Sequence, residues 1–256
     1  MFNFLNSRKN KEEKFVAEQV EGAPLVAYFN PKSIIAEEFR TIRTNIDFAQ
    51  VDRNIKSLVV SSSIPAEGKS TISANLAIAM GAMDKKVLII DADMRKPTLH
   101  RTFTLSNEKG LTTLLANSDI HFNEVVMKSN DLKLYLLPSG PIPPNPAELL
   151  ASSRMTKLMH ELYEYFDLII YDAPPITSVT DPQILATKVD GVLLVVRQGY
   201  VKKDEVRRAK QTLDNVDANI LGYVLNGKER ENSGGYYAYY GYGYGYDEKE
   251  RKENSR

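Results

Sequence analysis

The strongest chemical signal in the sequence is a phosphate-binding loop, SSSIPAEGKST, at residues 61–71. The loop follows an apolar run and precedes small and apolar residues, which is the strand–loop–helix setting that a P-loop requires. Backbone N–H groups of such a loop point at phosphate oxygens. We expect Lys69 to reach the β and γ phosphates of a nucleotide and the Ser70 hydroxyl to bind Mg²⁺. Ser63 and Ala66 stand where glycine is more usual, so a chance Gly-Lys-Ser in an ordinary turn is the alternative.

Two acidic motifs strengthen this prediction, because each one ends an apolar run. VLIIDADMRKP carries Asp91 and Asp93, and LIIYDAPP carries Asp172. Open α/β sheets bind their ligands outside the carboxyl ends of the strands. An isolated acid at such a place could merely cap the next helix. Three acids that converge on one P-loop are better explained as Mg²⁺ ligands and catalytic groups.

The elements that must position these residues form an α/β domain with a mostly parallel sheet flanked by helices. Most predicted strands are continuous apolar runs, as expected for strands covered on both faces. The predicted strands are 57–62, 86–91, 133–137, 167–172, 191–197 and 219–225. The predicted helices that fill the gaps are 69–82, 146–165 and 203–216. We expect one domain at 33–227, after a flexible N-terminal segment at 1–32.

A further helix is predicted from Ser33 onward, with a charged motif on its surface. Its predicted apolar face consists of Ile35, Phe39, Ile42 and Ile46. Glu37 and Arg40 fall on the opposite side, where their i,i+3 spacing makes them neighbours. With Arg43 they form the pattern E-x-x-R-x-x-R, which in most helices is only a solvated charged face.

The composition excludes several classes of protein. The 33 basic residues balance the 33 acidic ones, which argues against a protein that coats nucleic acid by bulk charge. The absence of cysteine excludes disulfides, thiolate zinc sites and cysteine nucleophiles. No segment approaches the ~20 apolar residues of a membrane helix, and the N-terminus lacks the apolar core of a signal peptide. We therefore expect a cytoplasmic protein unless a partner holds it at a membrane.

The C-terminal part of the chain has a different composition. Residues 236–246 read YYAYYGYGYGY and hold seven of the 14 tyrosines. Glycine at every second position loses backbone entropy on ordering and leaves little to pack. This pattern predicts a flexible, tyrosine-rich tail at 228–256.

The P-loop, the Asp-x-Asp motif and the later aspartate resemble the MinD/ParA-like branch of P-loop ATPases. Further motifs are similar to those of the bacterial protein-tyrosine kinases of capsular and exopolysaccharide biosynthesis, of the Gram-positive type with a separate membrane adaptor. These motifs are EEFRTIRTNI at 37–46, DADMRKP at 91–97, PPNPAELL at 143–150, YDAPP at 171–175 and the tyrosine tail. The resemblance implies an ATP- and Mg²⁺-dependent autokinase that phosphorylates the C-terminal tyrosines between neighbours in a ring, and so regulates polysaccharide synthesis and export.

The resemblance also implies residue roles. Asp91 would deprotonate or orient the tyrosine hydroxyl, with Lys69 and Asp93 as the other catalytic groups, and Ser70, Asp93 and Asp172 would hold Mg²⁺. The nucleotide-binding residues would be Ala66, Glu67, Gly68, Lys69, Ser70, Thr71 and Asn226. The acceptors would be Tyr236, Tyr237, Tyr239, Tyr240, Tyr242, Tyr244 and Tyr246.

An alternative stays open for Asn226 and for the basic pair Arg95 and Lys96. Asn226 lies where related ATPases often contact the adenine, and a simple turn asparagine is the other interpretation. Arg95, with Lys96, could stabilise charge or dock an acidic partner, or could belong to a solvated basic loop.

Partners follow from the same resemblance. Glu37, Arg40 and Arg43 would lie at the subunit contact of a homo-oligomeric ring, for which an octamer is one candidate size. A membrane adaptor of the polysaccharide co-polymerase type would recruit the protein to the inner face of the cell membrane and activate it. A protein-tyrosine phosphatase would reverse the modification, and no nucleic acid is expected.

Two other functions compete with the kinase. A MinD/ParA-type positioning ATPase would hydrolyse ATP without phosphorylating protein. Such ATPases carry a second lysine early in the P-loop, where this chain has Ile64, and MinD-like members end in an amphipathic membrane helix instead of a Tyr/Gly tail. The other candidate is a scaffold with a degenerate site, which would not be expected to retain Lys69, Ser70 and all three aspartates.

Overall fold

A computed structural model describes residues 22–49 and 55–227 of the chain. Its strands form one seven-stranded sheet in the order β3-β4-β2-β5-β1-β6-β7. They are β1 Ser57–Ser62, β2 Val87–Asp91, β3 Met127–Ser129, β4 Leu134–Leu137, β5 Leu168–Asp172, β6 Gly191–Arg197 and β7 Ile220–Asn226. All neighbouring pairs are parallel except β3 with β4. The predicted α/β fold with a mostly parallel sheet is confirmed.

Helices cover both faces of this sheet. They are α1 Val26–Phe29, α2 Ile34–Ala49, α3 Lys69–Gly81, α4 Leu99–Thr102, α5 Leu111–Ala116, α6 Pro146–Ala151, α7 Ser153–Tyr165, α8 Asp181–Ala186 and α9 Lys203–Asp214. One apolar cluster joins the sheet to α2 and α3, and a second joins its other face to α5 to α9. Every residue of β1, β2 and β5 is buried, which explains why these strands are continuous apolar runs.

The six predicted strands agree with observed strands to within one residue at each end. The short edge strand β3 and the short helices α1, α4, α5 and α8 were not predicted. The predicted helix 146–165 is two helices, because Ser152 adopts an extended backbone with ψ 154° and ends α6. Its hydroxyl then accepts a hydrogen bond from the Met155 N–H at 3.1 Å and caps α7.

The buried face of α2 differs from the predicted one. Ala36, Phe39 and Ile46 are buried, but Ile35 is 46% exposed. Successive residues of a helix are rotated by about 100°. Because α2 buries the face that carries Ala36, Phe39 and Ile46, the neighbouring Ile35 is turned towards solvent.

Part of the predicted flexible N-terminal segment packs on the domain. Leu25 is only 1% exposed and belongs to the core beside α2 and α3. The side chain of Asn75, on α3, accepts a hydrogen bond from the Ala27 N–H at 2.9 Å and donates one to the Pro24 carbonyl at 2.8 Å. Residues 1–21 and 228–256 lie outside the described residues, so the predicted flexibility of those parts and the proposed boundaries stay predictions.

Within the part of the chain that the structure describes, none of the helices has the length and apolar character needed to span a bilayer.

Candidate active site

The P-loop joins β1 to α3 at the carboxyl edge of the sheet. Gly68 precedes α3 with φ +92°, and Ala66 has φ +64°, so both residues adopt left-handed backbone conformations. Such a conformation costs an alanine roughly 1–2 kcal/mol relative to glycine. The glycine that is more usual at position 66 would adopt this turn without that strain, and the alanine here adopts it nevertheless.

Lys69 stands at the first turn of α3 and points into a cluster of acids. Its Nζ lies 2.9 Å from Asp93 Oδ2 and 3.7 Å from Asp172 Oδ1, and it donates to Ser70 Oγ at 3.3 Å. Only 13% of the lysine side chain is exposed. Burial lowers the pKa of Lys69, but the nearby charges of Asp172 and Asp93 outweigh it and raise the pKa above its ordinary value. The lysine is therefore charged and ion-paired.

Adjacent strands bring the acids together. In the register of β2 and β5, Asp91 lies opposite Asp172, although the two are far apart in sequence. Ser73, one helical turn after Lys69, donates to Asp172 Oδ1 at 3.1 Å and to the Lys69 carbonyl at 2.8 Å. Burial raises the pKa of Asp172, and the charge of Lys69 opposes that rise. Ser73 was not predicted, although its i+4 spacing from Lys69 was visible in the sequence.

Asp91 is fully buried and bonded to the backbone. Its Oδ2 accepts hydrogen bonds from the N–H groups of Thr98 and Leu99, both at 2.9 Å, at the start of α4. Its Oδ1 accepts one from the Asp93 N–H at 3.3 Å. Burial, and then the charge of Asp172, raise the pKa of Asp91 to about 8. Asp91 therefore shapes the loop after β2 and also has the pKa of a group that can exchange a proton near neutral pH.

Glu67 and Asn226 stabilise the P-loop by hydrogen bonds to backbone groups inside the protein. The Glu67 carboxylate is fully buried and accepts hydrogen bonds from the N–H groups of Ile64 and Arg197, at 2.8 and 2.9 Å. Asn226, at the end of β7, donates to the Glu67 carbonyl at 2.8 Å. The side chain of Glu67 thus fixes the shape of the loop. Asn226 stands at the nucleotide loop rather than in an isolated turn, and a contact with adenine stays a prediction.

The oxygens around Lys69 suit a divalent cation that also binds phosphate. Mg²⁺ in such sites takes one or two carboxylates and completes its shell with water and phosphate oxygens. Asp172 Oδ2 is buried without a hydrogen-bond partner among the described residues, so this oxygen is available to bind a metal ion. In the same part of the chain, no three acidic or histidine side chains form a metal centre by themselves. The predicted ligands Ser70, Asp93 and Asp172 fit a shared site of this kind.

The remaining predicted residues lie on α2, in the first turn of α3 or outside the described residues. On α2, Arg40 donates to Glu37, as their spacing predicts, and Arg43 Nη1 donates to the Ala79 carbonyl of α3 at 2.9 Å. Thr71 lies in the first turn of α3. The seven predicted acceptor tyrosines, at 236–246, lie outside the described residues.

Comparison with known proteins gives consistent matches over most of the chain. The family model described as "AAA domain" matches residues 56–222. Tyrosine-protein kinase YwqD of Bacillus subtilis is 46% identical over 217 residues, which cover 85% of this chain and 91% of that protein. Putative tyrosine-protein kinase CapB of Staphylococcus aureus is 42% identical over 219 residues, 86% of this chain and 96% of that protein.

A solved structure shows the same arrangement. The chimerical protein CapA2B2 superposes with a TM-score of 0.77 and 41% identity over 80% of this chain and 90% of that one. In this chain the fold places the P-loop and the strand-end acids at one edge of a mostly parallel sheet, which is the arrangement of P-loop ATPases. The chain belongs to the bacterial tyrosine-protein kinases.

Proposed function

We propose that this kinase transfers the γ-phosphoryl group of ATP to tyrosines of its own C-terminal tail. The observation that supports this most is the cluster of Lys69 with Asp93 and Asp172, beside an Asp91 whose pKa is raised to about 8. A positioned cation, oxygen ligands for a metal and a carboxyl group that can accept a proton are the parts that phosphoryl transfer needs.

Each residue of the cluster has a distinct proposed task. Lys69 binds the β and γ phosphates, with the N–H groups of the loop from Ala66 to Thr71 around them. Ser70, Asp93 and Asp172 hold Mg²⁺, which when bound neutralises phosphate charge. Asp91, in its ionised form, accepts the proton of the tyrosine hydroxyl while the tyrosine oxygen forms its bond to phosphorus. The bond from that phosphorus to the β–γ bridging oxygen breaks, and ADP leaves.

The tail has the chemistry of an acceptor segment. A tyrosine hydroxyl has an ordinary pKa of about 10, so it needs a base before it attacks phosphorus. Residues 236–246 carry no charged side chain that would repel the acidic site. Residue 236 follows Asn226 by ten positions, a span of up to about 33–36 Å when extended. Chain length therefore allows transfer to the same molecule as well as to a neighbour, and we propose the neighbour because α2 offers a surface for assembly.

That surface is the exposed side of α2. Ile34 and Phe48 are 63% and 71% exposed on the helix that carries Glu37, Arg40 and Arg43. Exposed apolar residues beside a charged motif suit a contact between subunits of a ring. The related structure is itself a chimerical protein, CapA2B2, which supports a partner for the CapB kinase. We propose a membrane adaptor that recruits this cytoplasmic kinase to the inner face of the membrane for capsular or exopolysaccharide synthesis, and a phosphatase that resets it.

Phosphate mapping tests the proposed reaction and whether the phosphoryl group is transferred between neighbouring molecules. Purified protein is incubated with ATP and Mg²⁺, with and without an adaptor tail, and modified residues are found by mass spectrometry. Phosphate on 236–246 supports the autokinase, whereas ADP release with an unmodified tail supports the positioning ATPase. A second mixture combines the Lys69→Met chain, which keeps its tail, with an active chain that ends at residue 227. Phosphate on the Lys69→Met tail is expected if transfer is between neighbours, and its absence there contradicts that transfer.

Phosphorylation of the tail is expected to dissociate the oligomer. Each phosphotyrosine adds roughly −1.5 to −2 charges, so seven add on the order of −10 to −14. Tails crowded around one ring then repel one another, and we expect an oligomeric unphosphorylated protein and a largely monomeric phosphorylated one. Arg40→Ala with Arg43→Ala is expected to dissociate the unphosphorylated protein and lower autophosphorylation. Light scattering measures both masses.

The matched control for this pair is Arg207→Ala with Arg208→Ala on α9. These arginines are exposed and form i,i+3 ion pairs with Asp204 and Glu205. Because Arg43 also bonds to the Ala79 carbonyl, the melting temperature of each variant is measured as well. Equal masses for the two phospho-forms contradict the switch. A monomeric α2 variant that phosphorylates its tail at the wild-type rate contradicts transfer between neighbours.

A further inference from the structure

Arg95 and Asp181 form an ion pair that neither the P-loop nor the acid cluster explains. The Arg95 Nε and Nη2 atoms donate to the two carboxylate oxygens of Asp181 at 2.9 and 3.0 Å. Asp181 is fully buried, whereas 41% of the arginine side chain is exposed. The hydrogen bond to Asp181 raises the pKa of Arg95, so the arginine is charged. Two parallel N–H···O bonds fix both the distance and the orientation of the groups they join.

The pair connects the two loops that carry the acids of the site. Arg95 lies two residues after Asp93 in the loop that follows β2. Asp181 begins α8, at the end of the loop that follows Asp172 and β5. Asp93 is 2.9 Å from the ammonium of Lys69, and Asp172 is 3.7 Å from it. A link between these loops therefore bears directly on the separation of the two carboxylates.

The loop after β5 is anchored to the P-loop. Its Ile176 N–H donates to the Ser62 carbonyl at 2.8 Å, and its Thr177 hydroxyl donates to the Ser63 carbonyl at 2.7 Å. These bonds attach it to the start of the P-loop. The α8 helix behind it contributes Leu185, which is fully buried in the core.

The loop after β2 is attached to β5 through the Ala92 N–H, which donates to the Asp172 carbonyl at 2.9 Å, and to the core through Met94, which is fully buried. The Lys96 N–H donates to Asp93 Oδ1 at 3.0 Å, and the N–H groups of Thr98 and Leu99 donate to Asp91. These last bonds define the shape of the turn beyond Met94, where Arg95 makes the side-chain link to the loop after β5. Arg95 reaches out of this turn to the anchored side and supplies a rigid connection.

We propose that the Arg95–Asp181 pair is a positioning clamp, which sets where Asp93 stands relative to Lys69 and Asp172. The inference rests on the proposed function, because it assigns the clamp to residues that would hold Mg²⁺. In this proposal Arg95 affects the reaction by positioning Asp93, and not through the exposed part of its own side chain. Partners that orient metal ligands typically change metal affinity or activity by about 10–100-fold when they are removed.

Single and double variants of the pair test the clamp. Arg95→Gln and Asp181→Asn are each expected to lower kcat for tail phosphorylation by roughly 10–100-fold, with KM for ATP little changed. Each is expected to raise the Mg²⁺ concentration needed for half-maximal binding of ADP, measured by titration without turnover. The double variant is expected to resemble either single one, because the second change removes an interaction already lost. Arg95→Lys is expected to restore activity only in part, since an ammonium group cannot bond to both oxygens in the same fixed geometry.

Asp204→Asn and Arg207→Gln are the matched controls, because they break an exposed pair on α9 whose atoms are 2.8 Å apart. A small effect of Asp181→Asn, equal to that of Asp204→Asn, overturns the clamp. A large effect of Arg95→Gln combined with a small effect of Asp181→Asn also overturns the clamp, because it indicates that the arginine contacts phosphate directly. If Arg95→Gln does not fold because it leaves a buried acid without its partner, Asp181→Asn and the double variant still decide.

The Lys69→Met variant, measured in the same series, distinguishes a failure of the proposed active site from a failure of the proposed clamp. If Lys69→Met phosphorylates its tail normally, the proposed site itself is wrong. If Lys69→Met is inactive and the clamp variants behave like their controls, only the clamp is wrong.

Discussion

Lys69→Met is expected to reduce tail phosphorylation to background. The change removes the only ammonium group within 4 Å of Asp93 and Asp172 among the described residues, and with it the proposed contact to the β and γ phosphates. Phosphate incorporation into 236–246 is measured by mass spectrometry, and nucleotide affinity by titration with ADP. Lys85→Met is the control, because Lys85 also forms an ion pair, with Asp47 at 3.1 Å, on the surface. Near wild-type phosphorylation in Lys69→Met would contradict the P-loop assignment.

The stability of this variant must be measured with its activity. Lys69 is mostly buried, so its loss leaves Asp93 and Asp172 in the interior without their cation. An uncompensated buried carboxylate is costly, and it avoids part of that cost by taking up a proton. We therefore expect Lys69→Met to have a lower melting temperature that recovers as the pH falls. A loss of activity is attributed to chemistry only under conditions where circular dichroism shows a folded protein.

Asp91→Asn is expected to lower the rate of phosphoryl transfer by ~10²–10⁴ while ADP binding survives. Asparagine keeps the size of the side chain but cannot accept the proton of the tyrosine hydroxyl. Single-turnover measurement of phosphate on the tail, with ADP binding beside it, separates chemistry from affinity. Asp84→Asn is the control, because Asp84 is 90% exposed and pairs with Lys133. Loss of ADP binding together with unfolding would instead assign Asp91 a purely structural role.

The wild-type protein and Asp91→Asn are also expected to differ in how their stability depends on pH. The pKa of Asp91 is raised from an ordinary 3.8 to about 8 in the folded protein. Between these values the folded state keeps a proton that the unfolded state has lost, so this group makes stability fall as the pH rises towards about 8. Asp91→Asn lacks that contribution, and its free energy of unfolding relative to wild type is expected to improve from pH ~5 to ~8. Urea unfolding across this range measures the difference, and a constant difference contradicts the raised pKa.

Much of the fold could be predicted because its signals are local. The strands β1, β2 and β5 are buried along their whole length, and burial on both faces selects continuous apolar runs that are visible in the sequence. Short elements carry too few residues for such a pattern. The three-residue strand β3 and the four-residue helix α4 were missed for that reason. The break at Ser152 was also missed, because a serine inside an apolar periodicity caps a helix only when the backbone turns there.

The sequence by itself determined which chemistry this protein carries. The loop at 61–71 and the aspartates at the strand ends are recognisable from residue types and spacing, because each motif is short and its strand and helix are contiguous with it. The sheet order that makes Asp91 and Asp172 neighbours was left to the tertiary structure.

Tertiary structure alone decided how the site is held. Three contacts join residues that are far apart in the sequence: the Arg197 N–H donates to Glu67, Lys69 stands between Asp93 and Asp172, and Arg95 pairs with Asp181. No local pattern encodes such pairs, because their distances depend on which strands lie side by side and on how each loop packs against the next. The types of the catalytic groups can therefore be predicted from the sequence, whereas their charges, partners and supports follow from the packing.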